Sequence, residues 1–200
     1  MGQIGASDRA VARPRLHHVF LKTTRLAEMK AWYGAVLGME PNFEWESGAF
    51  LTNDGANHRL VLYTSPSVSD DDLKLTRAGL HHVAYEYESC DDLFATYGRL
   101  KERDIEPHAA LDHGMTMSFY YLDPDGNSVE LQYDHFGDWS RSTAFMRGAP
   151  EFAQDPIGKP VDPEALAAAR RAGMSVEELH RRAYAGEMAP TRRYDLRIPT

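Results

Sequence analysis

Two histidine pairs and one glutamate carry the chemistry open to this chain. His17-His18 stands in RLHHVFLKT, and His81-His82 stands in GLHHVAYEY, a near copy. Each pair opens an apolar run that reads as a strand, and Glu130 sits in a third such run, SVELQY. Two neutral imidazoles and one carboxylate suit Fe(II) or Mn(II) and leave up to three coordination positions free. Neighbours on a strand point to opposite faces. Val19 and Leu21 share a face with His17, and Val83 and Tyr85 share one with His81; these apolar residues belong beneath a helix. His18 and His82 therefore turn the other way, into a concavity between two sheets. Val129 and Leu131 set the same parity on the last strand, so Glu130 turns inward as well. The expected metal ligands are His18, His82 and Glu130, with His17 and His81 left as flanking residues.

The elements that must position these groups form a repeat, with His18 and His82 offset by 64 residues. After the first pair, Leu26, Met29, Tyr33, Val36 and Leu37 recur at helical spacing. Thr24 is placed to cap that helix and Gly38 to end it in a left-handed turn. Three strands are expected next, Asn42 to Glu46, Ala49 to Thr52 and His58 to Thr64, with Ser47-Gly48 and NDGAN as turns. The second unit repeats the order. A strand runs from His81 to Tyr87 and a helix from Asp91 to Arg103. A weak strand follows at Ile105 to Ala110, and a strong one at Met115 to Leu122. DPDGN makes a tight turn, and Ser128 to Tyr133 closes the unit. The fold class is therefore α+β, with two βαβββ modules over 15–64 and 79–133. The remainder, 134–200, is a C-terminal extension, irregular and rich in glycine and proline at first. Asp162-Pro163 then opens a helix, and Ser175 with Glu178 forms a capping box for another. It has too few large apolar residues to fold alone and is expected to pack on the paired modules or on a partner chain.

Composition narrows the function. The 200 residues carry a net charge of −8, with no basic stripe over the repeated units, which argues against nucleic acid as a partner. No apolar run is long enough for a membrane helix, and the N-terminal stretch has no signal-peptide core. The single cysteine, Cys90, excludes an intrachain disulfide and fits a reducing cytoplasm. Its place in ESCDDLF, at a helix start, favours a structural role over a nucleophilic one. The expectation is a cytoplasmic enzyme, as a homo-oligomer, acting on a small molecule without membrane contact.

Three more residues fall on the inward parity: His58, His113 and Tyr120. A histidine can shuttle protons near neutral pH, and a tyrosine hydroxyl can donate to a bound oxygen. Leu60, Val61 and Leu62 occupy the places where a fourth carboxylate would lie, so the protein supplies three ligands.

The stretch HGMTMSFYYLDPDGNSVE, from His113 to Glu130, carries a histidine, an apolar residue followed by tyrosine, then Asp-Pro, a glycine and a glutamate. On that motif and the duplicated plan, the region Arg15 to Tyr133 resembles the vicinal oxygen chelate superfamily, with its glyoxalase/bleomycin resistance/dioxygenase fold. Within it the chain looks like a small one-domain type I extradiol dioxygenase. The resemblance implies that His18, His82 and Glu130 bind iron. It also implies that His58 handles protons on the dioxygen side, and that His113 and Tyr120 hydrogen-bond the substrate oxygens. The implied reaction is ring cleavage of a catechol-type diol by O2, with Fe(II), or alternatively Mn(II), as cofactor. Phe43, Trp45, Phe136 and Trp139 either line an aromatic pocket for an aryl-substituted catechol or belong to the core, the latter preferred. The rival readings are a glyoxalase-like isomerase, a thiol transferase and a non-catalytic binding module. The first generally needs a fourth ligand, the second has no use for His58, His113 and Tyr120, and the third usually lacks the triad.

Overall fold

A computed structural model describes residues 12–198. The first module runs β1 (Val19–Lys22), α1 (Leu26–Leu37), β2 (Glu40–Trp45), β3 (Gly48–Thr52) and β4 (Leu60–Tyr63). The second runs β5 (His82–Tyr87), α2 (Cys90–Lys101), β6 (Ala109–Asp112), β7 (Thr116–Leu122) and β8 (Ser128–Asp134). The sheets have matching orders, β1-β4-β3-β2 and β5-β8-β7-β6. In each, the first strand lies parallel to the last and the remaining pairs are antiparallel. The N-terminal stretch read above for a signal peptide lies mostly outside the described residues.

Helix and strand periodicities converge on one core. From α1 come Met29, Tyr33 and Val36; from α2 come Leu93, Phe94, Tyr97 and Leu100. They cover Leu60 and Leu62 on β4, Phe119 and Tyr121 on β7, and Val129 and Leu131 on β8, all buried; for β8 this is the face that alternation assigned. Each fully buried large side chain is worth about 1.5–3 kcal/mol against exposure. The two modules share this core, and polar contacts brace their junction. The Tyr33 hydroxyl donates to Asp123 at 3.2 Å, Arg25 donates to Asp125 at 3.0 Å, and Arg99 donates to the Val36 carbonyl at 3.3 Å.

Local signals hold with small differences. Gly38 ends α1 at φ 64°, where a side chain would be strained. Thr24 does not cap α1; Thr23 Oγ1 accepts from the Arg25 N–H instead, and Thr24 turns to Asp70. Ser89 caps α2, accepting from Asp92 N–H. The weak strand of the second module forms further along than Ile105 to Ala110, because Ala109–Asp112 is the stretch that pairs with β7. Ser175 caps its helix by accepting from Glu178 N–H, but the Glu178 carboxylate pairs with Arg181, so only half of the capping box forms.

The extension is more ordered than its glycine and proline content suggested. Helices α3 (Trp139–Gly148) and α4 (Pro150–Gln154) precede a two-residue strand, β9 (Lys159–Pro160), then α5 (Pro163–Arg171) and α6 (Val176–Tyr184). The Asp138 side chain accepts from Ser140 N–H and starts α3 just after the left-handed Gly137. Strand β9 pairs with β6, and Val161, Leu166, Ala167, Leu179 and Ala183 enter the common core. The extension thus packs on the second module of its own chain. No helix among the described residues is long and apolar enough to cross a membrane.

Candidate metal centre and active site

Ladder register places the second module's donors. Ala84 lies beside Glu130 in the parallel β5–β8 pair, and Tyr120 lies opposite Glu130 in the antiparallel β7–β8 pair. Residues paired across strands share a face, so Tyr120, Glu130 and His82 meet on the face away from α2. His82 Nε2 is 2.9 Å from Glu130 Oε2. The Tyr120 hydroxyl donates to Glu130 Oε1 at 3.1 Å, and its oxygen accepts from His113 Nε2 at 2.8 Å. Four of the six expected site residues therefore form one continuous chain of contacts.

The ring protons in that chain can be traced. His81 Nε2 lies 3.1 Å from the Leu196 carbonyl, which only accepts, so His81 carries its proton there. His81 Nδ1 is then an acceptor, and His82 Nδ1, 2.7 Å away, must be the donor. With Nδ1 so engaged, His82 presents Nε2 to a carboxylate oxygen at 2.9 Å. A positive centre fits between these two atoms, either a proton on Nε2 or a metal ion. Two donors on one metal, with bonds of about 2.1 Å at right angles, are about 3.0 Å apart. The separation of the pair is one that a divalent ion can also span, and His81 orients the His82 ring from behind.

Electrostatics agree. Burial of Glu130 (5% exposed) opposes its ionisation, but His82 and the Ser118 hydroxyl outweigh that and hold its pKa below the usual carboxylate value. Burial, with the neighbouring Glu130 charge, pushes the Tyr120 hydroxyl well above its ordinary pKa, so it stays protonated and able to donate.

The first module supplies a separate group. His17, His18 and His58 bring ring nitrogens within 4.8 Å of one another. His17 and His18 Nδ1 atoms are 3.2 Å apart, the His18 and His58 rings are 4.5 Å apart, and Phe50 stacks on His58 at 4.8 Å. Partial burial, reinforced by His18 and His17, lowers the His58 pKa and keeps that ring neutral near pH 7. His18 does not come within 4.8 Å of both His82 and Glu130, so the three expected ligands do not close into one set here. The strand registers equate Val61 of β4 with Glu130 of β8, which accounts for the lack of a fourth carboxylate.

An apolar cavity of about 120 Å³ adjoins the second group, lined by Ala109, Leu111, Ile157, Leu196 and Ile198 beside His82, His113 and Tyr120. A larger cavity, about 900 Å³, lies at the module junction around Arg25, Asp70 and Asp125, away from these donors. The four aromatic residues singled out in the sequence do neither task expected of them. Phe43 is 60% and Trp139 72% exposed, Trp45 and Phe136 are half-buried, and none lines the smaller cavity. The residues that do line it come partly from the distant extension, where no periodic pattern marks them. His81, a flanking residue in the sequence, lies between His82 and the Leu196 carbonyl and orients the His82 ring. Asp112, His135 and His180, which form a further, partly buried cluster, carried no repeat to draw attention to them.

A family profile described as the Glyoxalase/Bleomycin resistance protein/Dioxygenase superfamily matches residues 15–131. The chain belongs to that superfamily. It is 38% identical over 179 residues to "Biphenyl-2,3-diol 1,2-dioxygenase 2" of Rhodococcus globerulus, covering 90% of this chain and 93% of the relative. It is 41% identical over 172 residues to "Biphenyl-2,3-diol 1,2-dioxygenase 3" of the same organism, covering 86% and 90%. A solved glyoxylase/bleomycin resistance protein/dioxygenase domain from Frankia sp. EAN1pec shares the fold, with TM-score 0.53 at 20% identity, over 62% of this chain and 93% of that one. Within the superfamily the chain is an enzyme of the extradiol dioxygenase class, as its His113–Glu130 motif implied.

Proposed function

We propose that this dioxygenase is Fe(II)-dependent and cleaves the ring of an aryl-substituted catechol, of which biphenyl-2,3-diol is the type, using O2. The observation that carries this reading is the His82–Glu130 pair at 2.9 Å, with Tyr120 and His113 hydrogen-bonded in line beside an apolar cavity. His82 and Glu130 are two of the iron ligands and His18 is the third; Mn(II) is the other ion this donor set accepts. The ion would supply a redox-active Lewis acid able to bring a diol and dioxygen together.

The chain's own groups do the rest. Ala109, Leu111, Ile157, Leu196 and Ile198 take the aryl substituent out of water, which orients the diol edge toward His82 and Glu130. The Tyr120 hydroxyl, kept protonated, turns from Glu130 to donate to a diol oxygen, and His113 behind it holds that hydroxyl in place. His58, neutral near pH 7, accepts a proton on the side where dioxygen enters. Positioning of the reactants removes much of the entropic barrier. Leu16, Phe20, Phe43 and Leu80 are exposed around the two histidine pairs and on the open face of the first sheet. A second copy covering them accounts for the homo-oligomer expected from the sequence, in the cytoplasm.

The test is oxygen uptake. Protein loaded anaerobically with Fe(II) should consume O2 when given 2,3-dihydroxybiphenyl, with a yellow ring-opened product. It should turn over unsubstituted catechol less efficiently. No uptake with any of a broad catechol panel sinks the proposal.

A further inference from the structure

Asp112 ends β6, His135 follows β8 directly, and His180 lies in the middle of α6. Asp112 and His135 meet in the interior, and His180, its side chain 24% exposed, closes the cluster from the surface side, separate from the His82–Glu130 pair. Asp112 is fully buried, and the His135 side chain is 3% exposed. Asp112 Oδ2 is 2.8 Å from His180 Nδ1, and Oδ1 is 3.4 Å from His135 Nε2. One donor atom from each of the three residues lies within 4.8 Å of the other two. The imidazole rings stand 3.7 Å apart at 30°.

Two features point to an ion rather than a plain hydrogen-bond network. First, His135 Nε2 is buried with no well-formed hydrogen bond: Asp112 Oδ1, 3.4 Å away, is a long and poorly aligned partner. A buried imidazole nitrogen left unpaired costs about 1–3 kcal/mol. Its other nitrogen is held, since His135 Nδ1 lies 2.8 Å from the Tyr133 hydroxyl. That is how metal-binding histidines are oriented, with one nitrogen tied to an outer partner and the other free. Second, Asp112 has no lysine or arginine beside it among the described residues; its only ion-pair partners are the two histidines. Donor atoms on one ion, with bonds of about 2.1 Å, are about 3.0 Å apart at right angles and about 3.4 Å apart in a tetrahedron. The observed 2.8 and 3.4 Å span those values.

We propose that Asp112, His135 and His180 bind a second divalent transition ion, of the zinc class, with a structural role. Two imidazoles and one carboxylate match zinc's preferences. Aromatic rings border the setting: Tyr184 stacks on His180 at 5.8 Å, and Phe145 and Tyr184 close over Gly114. The ion would tie α6 of the extension to the end of β6. It would thereby fix the backbone that presents His113 to Tyr120, because His113 follows Asp112 in the chain and Gly114 N–H donates to Asp112 Oδ1 at 2.8 Å. This site is independent of whether iron binds at His82 and Glu130.

The experiment removes the first site and asks whether an ion still binds. A full-length His18→Ala/Glu130→Ala protein is stripped with chelator, then titrated with Zn²⁺ and, separately, Co²⁺. Expected are one tightly held ion per chain by elemental analysis, a rise in Tm with Zn²⁺, and Co²⁺ visible bands typical of low coordination. Adding His180→Gln or, separately, Asp112→Asn should weaken binding at least 100-fold, with circular dichroism showing the fold retained. Should either variant unfold, the Co²⁺ spectrum of the parent protein decides. No saturable binding by the stripped parent, or equal binding after a folded cluster variant, overturns the proposal and leaves a proton alone between Asp112 and His180.

Discussion

Tyr120→Phe separates the structural role of the site from its chemistry. Only the hydroxyl is lost; the ring keeps its packing against Ala109 and Leu111, so no cavity opens. The hydroxyl makes two contacts, to Glu130 at 3.1 Å and to His113 at 2.8 Å. A bond to a charged carboxylate is worth roughly 1.5–3 kcal/mol and a neutral one about 1 kcal/mol. Against that, a buried phenol no longer has to be kept out of water, and Glu130 keeps His82. The net loss of folding stability should be about 1–2 kcal/mol, read as a shift in urea midpoint at unchanged slope. Catalysis should suffer more. Losing one donor aimed at a reacting oxygen costs on the order of 100-fold in turnover. The variant should therefore hold a full complement of iron, bind the diol with little change in KM, and show kcat reduced on the order of 100-fold. Steady-state oxygen uptake and iron analysis on one preparation measure all three. Turnover within threefold of the parent, with iron retained, would reduce Tyr120 to a structural brace. Loss of iron would mean that it acts through Glu130 instead.

The remaining predictions follow from single contacts. Glu130→Ala should lose iron, while His58→Phe keeps it and slows turnover; equal iron loss in both would refute the roles assigned to them. Cys90 is 4% exposed, and burial pushes its thiol up to about 11, so the native protein at pH 8 should react with a disulfide reagent at least about 100-fold more slowly than unfolded chain. Rapid native labelling would show that α2 opens. Gly158 sits at φ 83°, and a Cβ there would run into the Asp112 carbonyl. Gly158→Ala should cost roughly 2–4 kcal/mol by chemical denaturation, from left-handed strain plus backbone displacement; an unchanged midpoint would mean that the loop over β6 is free to move.

How much of the fold can be read in advance depends on how far each signal reaches. The duplicated HH setting and the alternation along SVELQY are local, and local pairing within one sheet preserves them. Val129 and Leu131 fall under α2, while Glu130 and Tyr120 share the opposite face. Helix α1 ends where glycine permits φ of 64°. The extension is harder. Its helix α3 rests on one Asx cap after a glycine turn, and β9 exists only because β6 offers it an edge. Neither is visible in a stretch whose glycines and prolines suggest loop.

The site shows the same limit more sharply. Parity along a strand says which way a side chain points, and ladder register carries that statement to neighbouring strands. Within the second sheet this suffices: His82, Glu130 and Tyr120 stand on three hydrogen-bonded strands, and their distances follow from the pairing. His18 belongs to another sheet, joined to the second through shared core packing and a few polar contacts such as Arg25–Asp125. No register crosses that junction, so inward parity gives His18 a direction without a distance. It comes to rest among His17 and His58. Assembly of the three proposed iron ligands is thus a question about how the two sheets meet, and a bound ion would have most to contribute to that meeting. A third ligand drawn from the other module converts metal affinity into module docking, by the linkage that makes ligand binding stabilise whichever arrangement binds it better. Iron should therefore raise Tm in the parent and do so far less in His18→Ala. A His82–Glu130 pair that held iron unaided would make those two shifts equal.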